Sequence, residues 1–406
     1  MTLFIEFKGD VFMAPHIYCG RGDQLSHADL MDLINLCFNA QTPESALDGL
    51  LPKCYREHYR PQDQNYIITE DGTPVAAVGA YDHAINVCDR HIACRGIGNV
   101  AVHPDHRSKG YMKMAMNKAL TDMVSDGIAL STLAGHRQRY QYFGYEKSGA
   151  QYCFNISPQN IHHLFKDTSC PYALKRITDP EDALIDEIIR ITDKKPYFPV
   201  RPREKYLDIA NTWKADLFVF TDISDGNSRG YCIINKAGTI TEIGAKSDEY
   251  LLGMLHSVFT YLNKSFVVNI PSYDIGSLSI LVPIAEDHSL GVAMMYNVFD
   301  YKTVIDAFMA LKLSYTALPE GELTLLIHGF AKDERLRITV KDGKHTLMSI
   351  CDAVDFDLEL EHLQAIELLF GPISAFQVRP RQPNTSTEAG GTSILSKRFV
   401  FLEKQK

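Results

Sequence analysis

The spacing of apolar residues predicts alternating helices and strands over the first 157 residues. Residues 26–38 carry apolar side chains at helical spacing behind Ser26, a suitable N-cap. NYIIT and PVAAVGA, separated by EDGT, predict a hairpin between residues 65 and 80. The apolar strand GIGNVAV follows at 96–102, and after HPDHRSKG a helical pattern begins at Met112. A strand at 128–134, a helical GHRQRYQYF segment and a strand at 152–156 complete this part.

Residues 158–292 repeat this order of elements. We expect helices at 182–192 and 250–262, and strands at 216–221, 230–235, 239–245, 265–270 and 277–282. The segment EIGAKSDEYL, which runs from the third of these strands into the helix at 250–262, has no counterpart of an arginine- and glycine-containing loop. This second unit therefore reads as a degenerate copy of the first, and we expect the ligand of such a loop to bind only in the first.

The pattern of elements after residue 292 differs from that of the first two units. A helix is predicted at 301–313, followed by strands at 321–329, 335–343 and 344–350, an alternating strand at 354–361, a helix at 362–370 and a final strand at 393–402. Together these patterns predict an α/β (α+β) chain of three domains, with boundaries at 1–157, 158–292 and 293–406.

Composition and charge limit the partners and the compartment that we expect for this chain. The net charge is −9, and no stretch reaches the roughly 18 uninterrupted apolar residues of a membrane helix, so we expect neither nucleic acid nor membrane as a partner. The N-terminal residues lack the pattern of a secretion signal. The nine cysteines include no CxxC pair, which favours reduced thiols and a cytoplasmic protein. An acidic chain suits a cationic amine substrate.

The strongest local signal is the run from Val100 to Met112. A strand leads into a loop whose Arg107, Lys109 and Gly110 directly precede a helix. Helix N-termini present unpaired N–H groups, glycine permits close approach of the backbone, and both cations can reach phosphate oxygens. This pattern predicts a pyrophosphate site, although a plain loop-to-helix turn has the same spacing.

The run VAVHPDHRSKGYMKMAMNKAL, followed by YQYFGYEKSG, resembles the acetyl-CoA motif and closing region of the GCN5-related N-acetyltransferases. The three-part order resembles the enhanced-intracellular-survival type, in which two tandem acetyltransferase-like mixed-sheet domains precede a sterol-carrier-like α+β domain. LTLLIHG, RITVKDG and DFDLELEHLQAIELLFG carry the last part of this resemblance.

The resemblance implies the positions that would contact acetyl-CoA. The strand backbone at Val100, Ala101 and Val102 would meet the pantetheine arm. The loop would wrap the pyrophosphate together with Arg107, and its residues are Ser108, Lys109, Gly110, Tyr111, Met112 and Lys113. Where the family has a serine and a glutamate, this chain has Gly135 and His136 as the corresponding contacts.

The resemblance also implies a general acid and a base. Counting back from Phe143-Gly144-Tyr145 identifies Tyr140 as the acid that protonates the departing thiolate. In the resembling subgroup the terminal carboxylate, here that of Lys406, reaches the active site as the base. Because the ending Glu403–Lys406 is polar, His136 and Glu403 stay open as alternatives, and a surface histidine is the plainer interpretation of His136.

Metal chemistry has little support in the sequence. His103 and His106 have HxxH spacing but no third ligand at a typical offset, so we expect no zinc there and no metal elsewhere. The leading hypothesis is direct acetyl transfer from acetyl-CoA to a primary amine, such as an aminoglycoside, a polyamine or a lysine side chain. The alternative is a scaffold that holds an apolar ligand and carries a vestigial acetyltransferase domain. The subgroup further implies a homo-oligomer, with a hexamer as the expected state.

Overall fold

The chain forms two β-sheets flanked by helices. The structure, a computed structural model, describes residues 15–40, 42, 45–166, 168–351 and 355–372. The strands are β1 Ile17–Arg21, β2 Asn65–Glu70, β3 Thr73–Val87, β4 Arg90–Val102, β5 Leu130–Leu133, β6 Glu146–Ile156, β7 Tyr172–Ile177, β8 Tyr197–Pro199, β9 Asp216–Asp222, β10 Ser228–Ile234, β11 Thr239–Ala245, β12 Phe266–Pro271, β13 Asp287–Val298, β14 Gly321–His328, β15 Asp333–Lys341, β16 Lys344–Ser349 and β17 Leu358–Glu361.

The helices lie on the faces of these sheets. They are α1 His27–Cys37, α2 Leu47–Leu50, α3 Pro52–Tyr55, α4 Tyr111–Ser125, α5 Arg137–Tyr140, α6 Pro158–Leu164, α7 Leu184–Thr192, α8 Tyr206–Ala210, α9 Leu251–Leu262, α10 Ile275–Leu281, α11 Tyr301–Tyr315 and α12 His362–Phe370. Within the described part of the chain, none of these helices is long and apolar enough to cross a membrane.

Most predicted elements are present within a few residues. Ser26 caps α1 by accepting a hydrogen bond from the Asp29 N–H, as expected for an N-cap. The strand predicted at 277–282 is wrong, because these residues belong to α10, whose first turn is capped by the side chain of Asp274. A short apolar run fits a strand and a helix equally well, and the cap decides between them. The strand predicted at 393–402 lies outside the described residues.

The larger sheet runs through the first and second units without a break. Its order is β1-β2-β3-β4-β5-β13-β6-β12-β11-β10-β9-β7, with β8 on β3. Strand β13 lies between β5 and β6 and is antiparallel to both. Strand β6 in turn pairs with β12 on its other side. Residues 287–298 therefore complete the sheet of the first unit, and the expected boundary at 292/293 falls inside β13.

The last unit is a four-stranded sheet, β16-β15-β14-β17, with α11 and α12. It packs on the first unit, because one apolar cluster contains Ile85 and Cys94 of the large sheet together with Val304 of α11 and Leu325 of β14. Burial of this shared cluster joins the last unit to the first.

A partly buried histidine, His362, fixes the last unit on a turn of the first. The Nε2 atom of His362 lies 2.9 Å from the Gly144 carbonyl oxygen and 3.0 Å from Asn297 Oδ1, so Nε2 carries the proton that both oxygens accept. The Tyr301 hydroxyl lies 3.0 Å from His362 Nδ1 and donates to it. Asn297 also donates to the Phe143 carbonyl at 2.8 Å. Burial lowers the pKa of His362 to about 4, so the ring is neutral.

This burial predicts an acid-sensitive stability. Because the unfolded chain binds a proton at an ordinary histidine pKa and the folded chain does not, the contribution of neutral His362 is complete above about pH 6.5 and falls as pH drops toward 4. The loss is at most about 3 kcal/mol. We expect His362→Leu to flatten the fall in urea midpoint between pH 7.5 and 4.5, whereas His16→Ala, at an exposed histidine, leaves it unchanged. Parallel pH curves for wild type and His362→Leu would contradict this role.

Candidate active site

A bulge in β4 opens the first unit's sheet. Ala77 pairs with Ala101 while Gly79 pairs with Gly98, so β4 has one more residue than β3 between these two pairs. The parallel pairing of β4 with β5 covers only Cys94–Ile97 against Leu130–Leu133. Within the described chain, residues 98–102 of β4 have no strand partner on the β5 side. A V-shaped gap opens between β4 and β5, with its vertex at Ile97 and Leu133.

Side-chain hydrogen bonds hold the bulge. Asn99 has a φ of 33°, in the left-handed region that favours asparagine and glycine. Its Oδ1 accepts from the hydroxyls of Tyr55 at 3.0 Å and Tyr81 at 2.7 Å, and its Nδ2 donates to Asn65 Oδ1 at 2.7 Å. A Cβ atom on Gly79 would lie 2.2 Å from Asn99 Oδ1, so only glycine leaves room for this network.

The backbone beyond the bulge presents its polar groups to the gap. The His103 N–H donates to the Val75 carbonyl at 2.8 Å, so His103 faces β3. Because main-chain groups alternate between the two sides of an antiparallel strand, those of Val102 face the gap, and those of Val100 follow the same alternation. Ala101 pairs with Ala77 on the β3 side. An extended amide chain could add to this edge as a further strand.

The predicted phosphate loop lies at the open end of the gap. Ser108 and Gly110 have φ values of 65° and 84°, and Gly110 is the N-cap of α4. The backbone N–H groups of the first turn, at Tyr111, Met112 and Lys113, have no partner within the helix. A Cβ atom on Gly110 would meet nothing within 4 Å, so the space above this loop is open.

The two predicted cations differ in their surroundings. Arg107 is exposed and forms no ion pair with any residue in the described ranges. Lys109 Nζ lies 3.0 Å from both carboxylate oxygens of Glu70, which also contacts His106 Nδ1 at 2.5 Å. The hydrogen bond from Lys109 is the main cause that lowers the pKa of Glu70. Arg107 is thus the cation that can turn to a phosphate without breaking an ion pair.

Tyr140 lies on the β5 side of the vertex. It ends α5, and its ring packs in the cluster that contains Leu133 and α4 residues such as Ala115. Burial raises the pKa of Tyr140, while the neighbouring charge of Arg139 lowers it. The residue is 8% exposed. A raised pKa keeps the phenol protonated at neutral pH, as a general acid requires.

An ion pair fixes the helix that carries Tyr140. Arg137 Nε and Nη2 donate to the two oxygens of Glu146 at 2.6 and 2.7 Å, and Gln141 Nε2 donates to the same carboxylate at 2.6 Å. Glu146 is 2% exposed, yet hydrogen bonds from Arg137 hold its pKa below the ordinary value against the opposing effect of burial. This bidentate pair fastens α5 to the start of β6.

Tyr145 is placed differently. It is fully buried, and its hydroxyl lies 2.6 Å from Ser131 Oγ. Ser131 Oγ in turn donates to the Arg95 carbonyl at 2.7 Å. These contacts give Tyr145 a structural place in the core.

Gly135 and His136 occupy the turn between β5 and α5. A Cβ atom on Gly135 would lie 2.5 Å from Tyr140 Cε2, so glycine here makes room for the tyrosine ring. His136 is exposed, and its carbonyl accepts the Tyr140 N–H at 3.2 Å. Elsewhere, the rings of His103 and His106 lie 5.4 Å apart. No group of three or more metal-binding side chains occurs among the residues that the structure describes.

The second unit repeats the bulge and the gap. Ile233 pairs with Glu242 and Ile234 with Ile240, and β11 pairs with β12 only through Thr239 and Ile240. Lys195 Nζ donates to the Ile243 carbonyl at 2.9 Å, on the strand edge that corresponds to β4 in the first unit. Acidic Asp248 and Glu249 stand before α9, where the first unit has its cationic loop. The edge is thus partly occupied by the chain's own side chain.

His83 is a further residue near the vertex that the local sequence did not single out. A Cβ atom on Gly96 would lie 3.6 Å from His83 Cε1 and 3.3 Å from Thr132 Oγ1. Gly96 precedes Ile97, the last paired residue of β4 before the gap. His83 has no motif around it, and only the pairing of β3 with β4 brings it to the site.

Comparison with known proteins agrees with this geometry. Residues 24–148 match the family model described as the acetyltransferase (GNAT) domain. No curated protein matches the chain in sequence. On the domain match, the protein is an acyl-CoA-dependent N-acetyltransferase.

Several solved structures share the fold over almost the whole chain. A protein of Enterococcus faecalis described as a probable N-acyltransferase has a TM-score of 0.67 at 18% identity, covering 95% of this chain and 96% of that one. A GCN5-related N-acetyltransferase of Kribbella flavida has a TM-score of 0.67 at 16% identity, covering 96% of each chain. Eis1 of Mycobacterium abscessus has a TM-score of 0.58 at 13% identity, covering 91% and 94%.

The close approach of Gly135 to the Tyr140 ring predicts the effect of a larger side chain at position 135. Gly135→Ala should displace the tyrosine ring and lower the free energy of unfolding by about 1–3 kcal/mol, measured by urea titration. Ala134→Ser, at the exposed neighbouring position, is the control and should change it little. If both variants unfold at the wild-type midpoint, Tyr140 does not depend on Gly135 for its position.

Proposed function

We propose that the protein transfers an acetyl group from acetyl-CoA directly to a primary amine in a ternary complex. The observation that carries this proposal is the unpaired edge of β4, which leads from the vertex of the gap to the exposed loop before α4. An open strand edge that ends at a helix N-terminus suits a ligand with amides at one end and phosphates at the other.

Acetyl-CoA fits this edge in one direction. Its pyrophosphate would lie on the N–H groups at Tyr111–Lys113, with Ser108, Gly110 and Arg107 beside it. Its pantetheine amides would pair with Val100 and Val102. A cofactor held at these places directs its thioester to the vertex at Ile97 and Leu133. Tyr140, beyond Leu133 on the β5 side, is the proposed acid.

The transfer of the acetyl group has three requirements. The amine must reach the carbonyl in its neutral form, the carbonyl oxygen must be stabilised by strand N–H groups, and the leaving thiolate must gain a proton. A phenol with an ordinary pKa near 10 can protonate a thiolate whose acid has a pKa near 8.5. Tyr140 meets the last requirement.

The acceptor is proposed only as a class. Aminoglycosides, polyamines and lysine side chains carry primary amines that are cationic at neutral pH, and the protein's net charge of −9 favours their approach. Of the proton acceptors suggested by the sequence, the terminal carboxylate of Lys406 and the side chain of Glu403 lie outside the described residues. His136 lies at the turn before α5.

Four other expectations stay predictions. They are the domain boundaries, the sterol-carrier-like character of residues 293–406, the homo-oligomer with a hexamer as its expected state, and the cytoplasmic location.

Replacing Tyr140 tests the acid. Tyr140→Phe should leave the dissociation constant for acetyl-CoA nearly unchanged and lower kcat by roughly 10²–10⁴-fold, because the ring still packs but cannot give a proton. Steady-state CoA release with a polyamine measures this. Tyr142→Phe, at a 90% exposed tyrosine, should retain wild-type turnover. Normal turnover by Tyr140→Phe together with an inactive but folded Tyr145→Phe would transfer the role to Tyr145.

Replacing Gly110 tests the loop. Gly110→Val should weaken acetyl-CoA binding by about tenfold or more, because a β-branched residue disfavours a φ of 84° and fills the space over the helix N-terminus. Gly343→Val is a matched control, since Gly343 also has a positive φ and open surroundings but lies in the β15–β16 turn. Calorimetric titration that gives equal dissociation constants for wild type and Gly110→Val would count against the loop.

The function as a whole is tested by thermal shift and turnover. Acetyl-CoA should raise the melting temperature, and a panel of aminoglycosides and polyamines should produce free CoA and acetylated amine with wild type. A protein that binds no acetyl-CoA but yields a stoichiometric apolar ligand on extraction would favour the scaffold hypothesis instead.

A further inference from the structure

We propose that His83 is the group that accepts the proton from the amine substrate. This inference rests on the proposed function, since it assigns a residue to the same reaction. On β3, His83 pairs in register with Cys94, and Tyr81, two residues earlier on the same face, pairs with Gly96. Gly96 pairs across the sheet with Thr132 of β5, one residue short of the vertex. One residue along a strand is about 3.3 Å, so the ring lies next to the expected thioester.

The surface around the ring is partly open to solvent. Gly96, Gly98, His83 and Thr132 are all partly exposed. Because Gly96 and Gly98 carry no side chain, neighbouring groups lie close over this face of β4. A Cβ atom on Gly98 would lie 3.1 Å from the Tyr81 ring, and one on Gly96 would lie 3.6 Å from the His83 ring and 3.3 Å from Thr132 Oγ1.

His83 and Tyr81 lie on the face of the sheet opposite to Tyr140. Tyr81 packs against the cluster under α1, and strand alternation places His83 on the same face. Tyr140 belongs to the cluster under α4, on the other face. An amine deprotonated from the His83 face and a thiolate protonated from the α4 face would meet the base and the acid on different sides of the sheet, so the two groups do not compete for the same space.

The hydrogen bond of the ring fixes its tautomer. His83 Nδ1 lies 3.3 Å from the Tyr81 carbonyl oxygen, which can only accept, so Nδ1 carries the proton. Nε2 then holds the basic lone pair. It has no hydrogen bond to any residue in the described part of the chain. Burial lowers the pKa of His83, which keeps the ring neutral at neutral pH. Lys53 lowers this pKa further and Asp82 raises it.

The proton balance is complete with these groups. Nε2 takes one proton from the ammonium, the neutral amine forms the C–N bond, and the C–S bond breaks as the tetrahedral intermediate collapses. Tyr140 gives a proton to the thiolate, and the second amine proton returns to the phenolate through solvent. His83 then releases its proton to solvent, so the reaction yields amide, CoA thiol and one proton.

The test is the pH profile of His83→Ala. We expect acetyl-CoA affinity to stay within about twofold of wild type, and kcat at pH 7 to fall by roughly 10²–10⁴-fold. For wild type, kcat/KM should rise with pH through a pKa below the ordinary histidine value. His83→Ala should lose this step, regain turnover as pH approaches the pKa of the amine itself, and be partly rescued by added imidazole. His91→Ala, at an exposed histidine of β4, is the control.

Three outcomes would overturn the assignment. One is turnover by His83→Ala within about twofold of wild type at pH 7. Another is loss of turnover on deletion of Glu403–Lys406 while His83→Ala stays active, which would make the chain end the base. In both cases wild-type turnover still supports the proposed function. Absence of turnover by wild type with every amine of the panel would overturn the function and this role together.

Discussion

The site depends on the hydrogen bonds that hold Asn99 in a bulge. Two tyrosine hydroxyls and Asn65 satisfy its side chain, and this network keeps a residue with positive φ in the middle of a long strand. Each hydrogen bond contributes on the order of 1 kcal/mol to the stability of the fold. Together the bonds also hold the backbone conformation of Asn99. The pairing of β4 with β5 ends at Ile97, two residues before Asn99, and the backbone edge beyond it leads to the loop before α4.

A bulge followed by an unpaired strand edge occurs in both units, but the residues that follow the edge differ. In the first unit the edge beyond the bulge leads to an exposed arginine and a glycine N-cap. In the second unit Lys195 binds the Ile243 carbonyl, and acidic residues precede the helix. The two units thus share the bulge and differ in the charge of the residues before the helix, and we propose that this charge decides which unit binds the cofactor.

Much of the fold could be predicted from local patterns, and the parts that could not be predicted are long-range. The helix after HPDHRSKG and the hairpin at 65–80 follow from periodicity and turn residues. The insertion of β13 between β5 and β6 joins residues more than a hundred positions apart, and no local pattern specifies that pairing. The ion pair of Lys109 with Glu70 and the place of His83 over Gly96 depend on strand register in the same way. The loop and Tyr140 could be proposed from the sequence because their motif residues are close together in the chain.

The central claim is that acetyl-CoA adds to the edge of β4 as a missing strand. The most direct measurement is amide hydrogen exchange by NMR with and without saturating acetyl-CoA. The amides of Val100 and Val102 should become strongly protected, while those of Ile243 and Ala245, at the matching edge of the second unit, should not change. Unchanged exchange at Val100 and Val102 in the saturated protein, or equal protection at both edges, would contradict the account.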